Sequence, residues 1–186
     1  DVKVTGEIHA ALAKKGALPG THYMDGGFVD AEVLVNSQQT YGLKVVAPAQ
    51  TDSSWQKHEN TGYATSQFGI DWQARHAICP QGQTSTGWST SKKPAGGVQI
   101  QFPRKVCQAC SAKAKCTKSV ARSLKLHDRI RHETLVNARN QRATPGFWTD
   151  YRTRAGIEGS LSHLVHSVGA RRCRYFGQAK TNLQFI

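Results

Sequence analysis

The chain has 186 residues and carries 25 Lys and Arg against 12 Asp and Glu, a net charge of +13. This length can bury a core and is most consistent with one domain that holds an inserted subdomain. The charge balance favours a polyanionic partner, above all nucleic acid, although an ordinary basic surface is the plain alternative. No apolar run approaches the ~20 residues of a membrane span, so no membrane partner is predicted.

Residues 1–50 alternate between helical and extended patterns. In chain order the predicted elements are a helix over Ile8–Lys15, a strand from Thr21 that ends at Asp25, a helix over Asp30–Val35 and a strand over Tyr41–Ala47. The residues before the first helix are interpreted as the tail of another strand. Asp30 is a candidate N-cap, because its side chain can accept from a first-turn amide. A strand, a helix and a strand at this spacing predict a β-α-β unit and an α/β fold.

Residues 51–126 change in composition, with frequent Gly, Ser, Thr and Gln. Short extended runs at Phe68–Trp72 and Val98–Phe102 predict a β-rich antiparallel insertion before the last helices. Trp72 lies inside an alternating strand pattern and is predicted to belong to the core.

Residues 127–186 return to helical spacing. A first helix is predicted over Asp128–Gln141, with arginines that either follow DNA phosphates or form a solvated face. Thr144 as N-cap and Pro145 at the first helical position start a long helix that is predicted to run to about Val168.

One face of that long helix combines polar and apolar side chains. Its members are Tyr151, Arg154, Glu158, Leu161 and Val165. Residues three and four apart share a helix face, so the Glu158 carboxylate is predicted to point inward. A desolvated carboxylate needs a cationic partner, which is either Arg154 or a bound metal ion.

Asp25 and Glu158 are the two acids that could act together. Asp25 follows a predicted strand and precedes a Gly pair that would let a ligand approach the backbone. Sites in α/β sheets form at the carboxyl ends of strands, and carboxylates gathered there suit Mg²⁺. The local alternatives are a turn at Asp25 and an i,i+4 pair of Glu158 with Arg154. The adjacent His22 is predicted to form a local hydrogen bond.

The cysteines form a second group of candidate ligands. Cys107-x-x-Cys110 is a two-ligand knuckle, and Cys79 with Cys116 would complete a tetrahedral thiolate set for structural Zn²⁺. Free thiols in a reducing cytoplasm are the alternative. The uneven grouping favours metal ligands over a secreted disulfide framework, and therefore a cytoplasmic location.

These segments resemble the DDE transposases of bacterial insertion sequences, whose catalytic domain has an RNase H-like fold. The segment Tyr23-Met-Asp25-Gly-Gly-Phe28 is similar to the second-aspartate segment of that family. The pattern Tyr151-x-x-Arg154-x-x-x-Glu158 is similar to the first part of the family's Tyr-Arg-Glu-Lys signature. The ending from Arg172 to Gln184 is similar to the family's C-terminus.

The resemblance implies that Asp25 and Glu158 are the second and third metal-binding acids and hold Mg²⁺ or Mn²⁺. The family's first aspartate lies on an earlier strand, and only Asp1 precedes Asp25 among the aspartates given. The chain is therefore interpreted as the C-terminal part of an incomplete RNase H-like domain that is inactive on its own.

The resemblance also implies supporting roles. Tyr151 and Arg154 are expected to support the helix and to contact DNA or the acids. The fourth signature position is Val165 in place of the family's basic residue. His166 or Arg171 is expected to make that phosphate contact.

The implied function is DNA binding with metal-dependent strand cleavage and transfer in transposition. The implied setting is the bacterial cytoplasm, associated with the nucleoid, with DNA ends and target DNA as partners and a homo-oligomer assembled on them. The activity is expected of the full-length parent and not of these residues alone. The alternatives are a non-catalytic, zinc-stabilised DNA-binding module and a decayed remnant of a mobile element.

Overall fold

The computed structural model describes residues 2–58, 62–91, 96–167, 169, 171–172, 176–177 and 180. The chain divides into two compact units, Asp1–Ala143 and Thr144–Ile186. The first unit is mixed α/β with small sheets, and the described part of the second is helical. Within these ranges no helix combines the length and the apolar character needed to cross a membrane. The boundaries expected after residues 50 and 126 stay predictions.

A parallel β-α-β arrangement opens the first unit. Its elements are α1 (Val2–Lys14), β1 (Thr21–Tyr23), a 3₁₀ helix (Gly26–Phe28), α2 (Ala31–Tyr41) and β2 (Lys44–Val46). The two strands pair in parallel, with His22 opposite Val45. The predicted β-α-β order is therefore confirmed.

Two boundary predictions in this region are wrong. α1 already begins at Val2, so the residues from Val2 to Glu7, interpreted as the tail of a strand, are helical. Asp30 caps α2 as predicted, accepting the Val33 N–H at 2.8 Å, but the helix continues to Tyr41, where a strand is predicted. It ends at Gly42, whose φ of 62° lies in the left-handed region that glycine adopts without a Cβ clash. The glycine is the stop signal, and the apolar residues before it do not end the helix.

A buried histidine joins α1 to α2 and β1. His9 is 1% exposed; its Nε2 lies 2.9 Å from His22 Nδ1, and its Nδ1 lies 3.2 Å from Ser37 Oγ. His22 therefore forms a hydrogen bond, as predicted, but its partner lies 13 residues away on α1 and is not local. Thr5 on the same helix donates to the Phe28 carbonyl at 3.1 Å. Polar contacts therefore fix α1 against the β-α-β arrangement.

The middle of the first unit is antiparallel, as predicted. β3 (Gly69–Asp71) and β4 (His76–Ile78) form a hairpin, and β5 (Gly87–Thr90), β6 (Val98–Gln101) and β7 (Ser123–Leu126) form a sheet in that order. The connecting helices are α3 (Trp55–His58), a 3₁₀ helix (Thr65–Gln67), α4 (Arg104–Ala109) and α5 (Lys113–Cys116).

The core of this middle part is small and apolar. Its buried members are Phe68, Ala77, Val98, Ile100, Phe102, Leu124 and Leu126. β7 alternates strictly, because successive strand residues point to opposite faces, and only its two leucines are buried. Trp72 is partly buried against this cluster, and its ring meets Trp88 edge-on at 5.5 Å, which agrees with its predicted place in the core.

Arginines of α6 (Arg129–Arg142) attach that helix to α2 and to the chain after β2. Arg131 pairs with Glu32 at 2.6 Å and also with Asp128, the N-cap of α6. Arg142 donates to the Ala49 carbonyl at 2.7 Å. Neither alternative considered for these arginines, phosphate contact or a solvated face, includes this internal anchoring.

The second unit contains α7 (Pro145–Tyr151), a 3₁₀ helix (Arg152–Arg154) and α8 (Ala155–Ser167). The predicted start is confirmed, because Thr144 Oγ1 accepts the Phe147 N–H at 3.3 Å and Pro145 follows. The prediction of one regular helix to about Val168 is wrong, since the chain tightens over Arg152–Arg154. Weak helix formers, Thr153 and Gly156, lie at this point.

The histidine contact predicts acid sensitivity of the first unit. Burial lowers the pKa of His9, with His22 adding to the effect, and burial lowers the pKa of His22. The unfolded chain takes up these protons near pH 6.5, so the stabilisation is fully present above that pH and is lost as pH falls below it. Urea unfolding should show a lower midpoint at pH 5.5 than at pH 7.5, and His9→Gln should reduce that loss.

The matched control is His58→Gln, because His58 is exposed in the same unit. This variant should keep the acid sensitivity of the unmodified chain. An equal acid loss in the His9→Gln protein would contradict the assignment to this contact.

Candidate active site and cysteine pocket

Asp25 lies two residues after β1, close to the predicted strand end. Its backbone is extended, and its Oδ1 accepts the Gly27 N–H at 3.1 Å, capping the 3₁₀ helix. The residue is exposed. The local turn considered as an alternative is therefore present, and it leaves the carboxylate in solvent, where a cation can reach it.

The first glycine after Asp25 is required by the fold. A Cβ on Gly26 would lie 2.6 Å from the Pro48 carbonyl oxygen, so the chain after β1 and the chain after β2 touch here. On Gly27 the nearest atom to such a Cβ would be Asp25 Oδ1, at 4.0 Å. The sequence predicts that a ligand approaches the glycine pair closely. At Gly26 the group that approaches is the backbone of Pro48.

In the second unit, Arg154 links Tyr151 to Glu158. The Arg154 guanidinium lies over the Tyr151 ring at 6.0 Å and donates to Glu158 Oε1 at 2.9 Å. The Tyr151 ring stacks on Phe147 at 5.7 Å and meets Trp148 edge-on at 5.9 Å. The three signature residues thus form one connected group, supported by an aromatic cluster.

The prediction that Glu158 points into a buried face is wrong. Its side chain is 63% exposed, and α8 has no buried residue in the described part of the chain. The cause is the distribution of apolar residues, because Ile157, Leu161 and Leu164 are all exposed and leave no buried stripe. The i,i+4 pair with Arg154 holds the carboxylate at the surface of the helix.

The expected substitutes for the missing signature base lie nearby in sequence. Val165 is half-buried and His166 is exposed in the last turn of α8. Arg171 is exposed beyond that helix. Asp25 belongs to the first unit and Glu158 to the second, and their joint use stays a prediction.

Four cysteines of the first unit line one pocket. Cys79 follows β4, Cys107 lies on α4, Cys110 caps the end of α4, and Cys116 ends α5. All four are half-buried free thiols. The pocket has a cavity volume of about 30 Å³. The sequence grouping of these residues therefore corresponds to a grouping in space.

The thiols are near one another without being arranged as ligands. In the described residues no group of three or more His, Cys, Asp or Glu is gathered closely enough to hold a metal ion. Burial raises the pKa of Cys116; Arg122 opposes this, and Cys107, Cys79 and Cys110 raise it further. Each thiol therefore lies within electrostatic range of Cys116.

Arg122 is the residue beside this pocket that sequence reasoning missed. It donates to the Cys116 carbonyl at 3.1 Å and the Tyr63 carbonyl at 3.4 Å, and its guanidinium lies 5.4 Å from the Phe68 ring centre. Burial lowers its pKa, while Cys116 and Asp52 act in the other direction. An arginine in a polar connecting segment carries no sequence signal that distinguishes it from a surface cation.

Comparison with models of protein families shows which family the chain belongs to. The model of the transposase DDE domain matches residues 78–186, which is more than half of the chain. The chain belongs to the transposase DDE domain family. The match contains Tyr151, Arg154 and Glu158 and also the four pocket cysteines, whereas Asp25 lies outside it. The resemblance seen in the sequence to DDE transposases is confirmed.

Two further comparisons give no match, one with curated proteins and one with solved structures. Membership of the DDE family points to a function related to transposition, with DNA as the partner. DDE domains generally use divalent metal ions. The mixed α/β fold with small sheets is compatible with part of such a domain.

The contact at Gly26 predicts a contrast between adjacent glycines. Gly26→Ala should destabilise the first unit by about 1–3 kcal/mol, because backbone must move to accommodate the methyl group. Gly27→Ala should change the free energy of unfolding little, since a methyl group there meets nothing closer than 4.0 Å. Urea unfolding measures both, and equal effects would contradict the assigned contact.

The geometry of Glu158 predicts that its carboxylate is dispensable for folding. An exposed i,i+4 ion pair contributes about 0.2–0.5 kcal/mol, so Glu158→Gln should lower the free energy of unfolding by no more than that. Asp128→Ala, which removes an N-cap and a partner of Arg131, should cost about 1 kcal/mol or more. A large destabilisation by Glu158→Gln would show that its role is structural.

Proposed function

We propose that this chain is part of a DDE transposase that cleaves and joins DNA, with Asp25 and Glu158 as metal-binding acids. The parent domain would have an RNase H-like fold. It would come from a bacterial insertion sequence and act on the nucleoid in the cytoplasm, as a homo-oligomer on DNA. A further aspartate, the first acid of the family, completes the set.

The arrangement of Tyr151, Arg154 and Glu158 carries this proposal. The three side chains contact one another in series, and they lie inside the segment that matches the transposase DDE domain. Arg154 holds the carboxylate in place by a charge-assisted hydrogen bond, and Tyr151 limits the positions that Arg154 can take. Glu158 remains exposed at 63%, so the same carboxylate is accessible to a cation.

The charge of the chain supports the same function. A net charge of +13 attracts DNA through its phosphates, whereas two carboxylates alone would repel them. Mg²⁺ or Mn²⁺, when bound, would offset the carboxylate charge and stabilise the charge that develops on the phosphodiester oxygens. Asp25 and Glu158 are each suited to be a ligand of a hard ion, because each is an exposed residue with carboxylate oxygens.

The proposed reaction has two balanced steps. In the first, water attacks a phosphorus at the transposon end and the P–O3′ bond breaks, which leaves a 3′-hydroxyl and a 5′-phosphate. In the second, that 3′-hydroxyl loses its proton and attacks a target phosphodiester, displacing the 3′-oxygen of the target strand. Arg154 keeps Glu158 oriented through both steps, and His166 or Arg171 contacts a nearby phosphate in place of the family's basic residue.

A second function has its own support. Glu158 already has a partner in Arg154, as expected for a helix that only binds DNA. In that non-catalytic alternative, the cysteine-containing part stabilises a DNA-binding module and the acids have no metal-binding role.

A DNA strand-cleavage assay distinguishes the two functions. It uses the full-length transposase, which includes the first aspartate. The substrate is DNA that carries the ends of its own mobile element, with Mg²⁺ or Mn²⁺ supplied. Asp25→Asn and Glu158→Gln should each reduce cleavage by roughly 1000-fold or more, because several kcal/mol of transition-state stabilisation are lost. DNA binding in a gel-shift assay should persist in both variants.

The matched control is Glu7→Gln, which removes one exposed carboxylate from α1. It should cleave DNA at the rate of the unmodified protein. Cleavage that survives Asp25→Asn and Glu158→Gln would favour the non-catalytic DNA-binding module for this part of the chain.

A further inference from the structure

Two elements that are distant in sequence place the four thiols around one cavity. Cys79 comes directly after the β3–β4 hairpin, while the other three lie on the α4–α5 segment. The cavity of about 30 Å³ exceeds the roughly 10–15 Å³ that one water needs, so it admits a single ion. Apolar side chains form much of the remaining wall, namely Tyr63, Phe102, Pro103 and Val106.

Backbone amides of the turn after Cys79 make hydrogen bonds to this residue, including one to its sulfur. The Gln83 N–H points at Cys79 Sγ at 3.4 Å, and the Gln83 carbonyl accepts the Cys79 N–H at 2.9 Å. The Gly82 N–H also donates to the Cys79 carbonyl at 2.8 Å and closes the turn. Amide donors of this kind support a thiolate ligand by stabilising its negative charge and fixing its direction.

The backbone at Cys116 is fixed from two sides. Its carbonyl accepts from Arg122 at 3.1 Å and from Gln56 at 2.9 Å. Gln56 is buried, and its amide reaches this carbonyl from α3. Hydrogen bonds to their own backbone therefore fix two of the four cysteines, Cys79 in its turn and Cys116 at the end of α5.

Four thiolates and one divalent ion together carry a net charge of −2. The positively charged side chains beside the pocket would offset this charge. Arg122 and Lys113 both line the pocket, and each brings a positive charge to that wall. An all-sulfur set selects thiophilic metals, and Zn²⁺ is the metal that such a set binds as a single tetrahedral ion. The small cavity suits a single ion.

We propose that Cys79, Cys107, Cys110 and Cys116 bind one structural Zn²⁺ ion. The sulfurs close in around the ion from their places on the cavity wall, and the thiol protons leave on binding. The ion joins the β3–β4 hairpin to the α4–α5 segment. A hairpin with strands of three residues is marginal on its own, so this link stabilises the middle part of the first unit.

This zinc centre is independent of the proposed cleavage, which uses carboxylates and a hard ion. Zinc is the probe, and the whole chain is expressed in zinc-supplemented medium and purified without chelators. Elemental analysis should find one zinc per chain. Replacement by Co²⁺ should give the visible absorption of a tetrahedral thiolate site. Both measurements use the unmodified protein and do not depend on whether a variant folds.

The variants test the ligand set. Cys110→Ser should abolish the tetrahedral Co²⁺ spectrum and lower the melting temperature. Cys173→Ser, which changes the fifth cysteine of the sequence, should leave metal content and spectrum unchanged. Zinc no higher than in the buffer, iron with acid-labile sulfide in place of zinc, or equal losses in the two variants would each overturn the proposal.

Discussion

Arginine side chains connect the segments of the first unit by donating hydrogen bonds to carbonyl and carboxylate oxygens. Arg131 joins α6 to Glu32 of α2, and Arg142 joins the end of α6 to the Ala49 carbonyl. Arg122 fixes the chain at Tyr63 and Cys116. A guanidinium has five donors in a fixed plane, so one side chain can connect several segments. These contacts supplement cores that are small, and α6 itself has no buried residue.

Because these arginines bind within the protein, the net charge overstates the number of cations that can contact a partner. Several cations counted in the net charge of +13 are engaged within the protein and do not face a partner. Three lysines near the cysteine pocket are exposed. They are Lys105, Lys115 and Lys118. Loss of an α6 arginine would therefore affect stability, whereas under the proposed function loss of one of these lysines would chiefly reduce DNA affinity and its salt dependence.

Local chemistry could be predicted from the sequence, and long-range use of side chains could not. Asp30 and Thr144 cap their helices because the cap depends on residues two or three positions away. The β-α-β order follows from residue spacing in the same way. The inward direction expected for Glu158 was wrong because helix periodicity gives a face but not what covers it. The roles of Arg122 and Arg131 depend on partners distant in sequence, which no local pattern reveals.

The functional account depends on divalent-ion binding by the carboxylates of Asp25 and Glu158. Mn²⁺ binding to the unmodified protein, to Asp25→Asn and to Glu158→Gln tests this most directly, by calorimetry. The account predicts that each change weakens Mn²⁺ binding about tenfold or more, equivalent to about 1.4 kcal/mol, because each removes a carboxylate ligand. Unchanged Mn²⁺ affinity in either variant would contradict it.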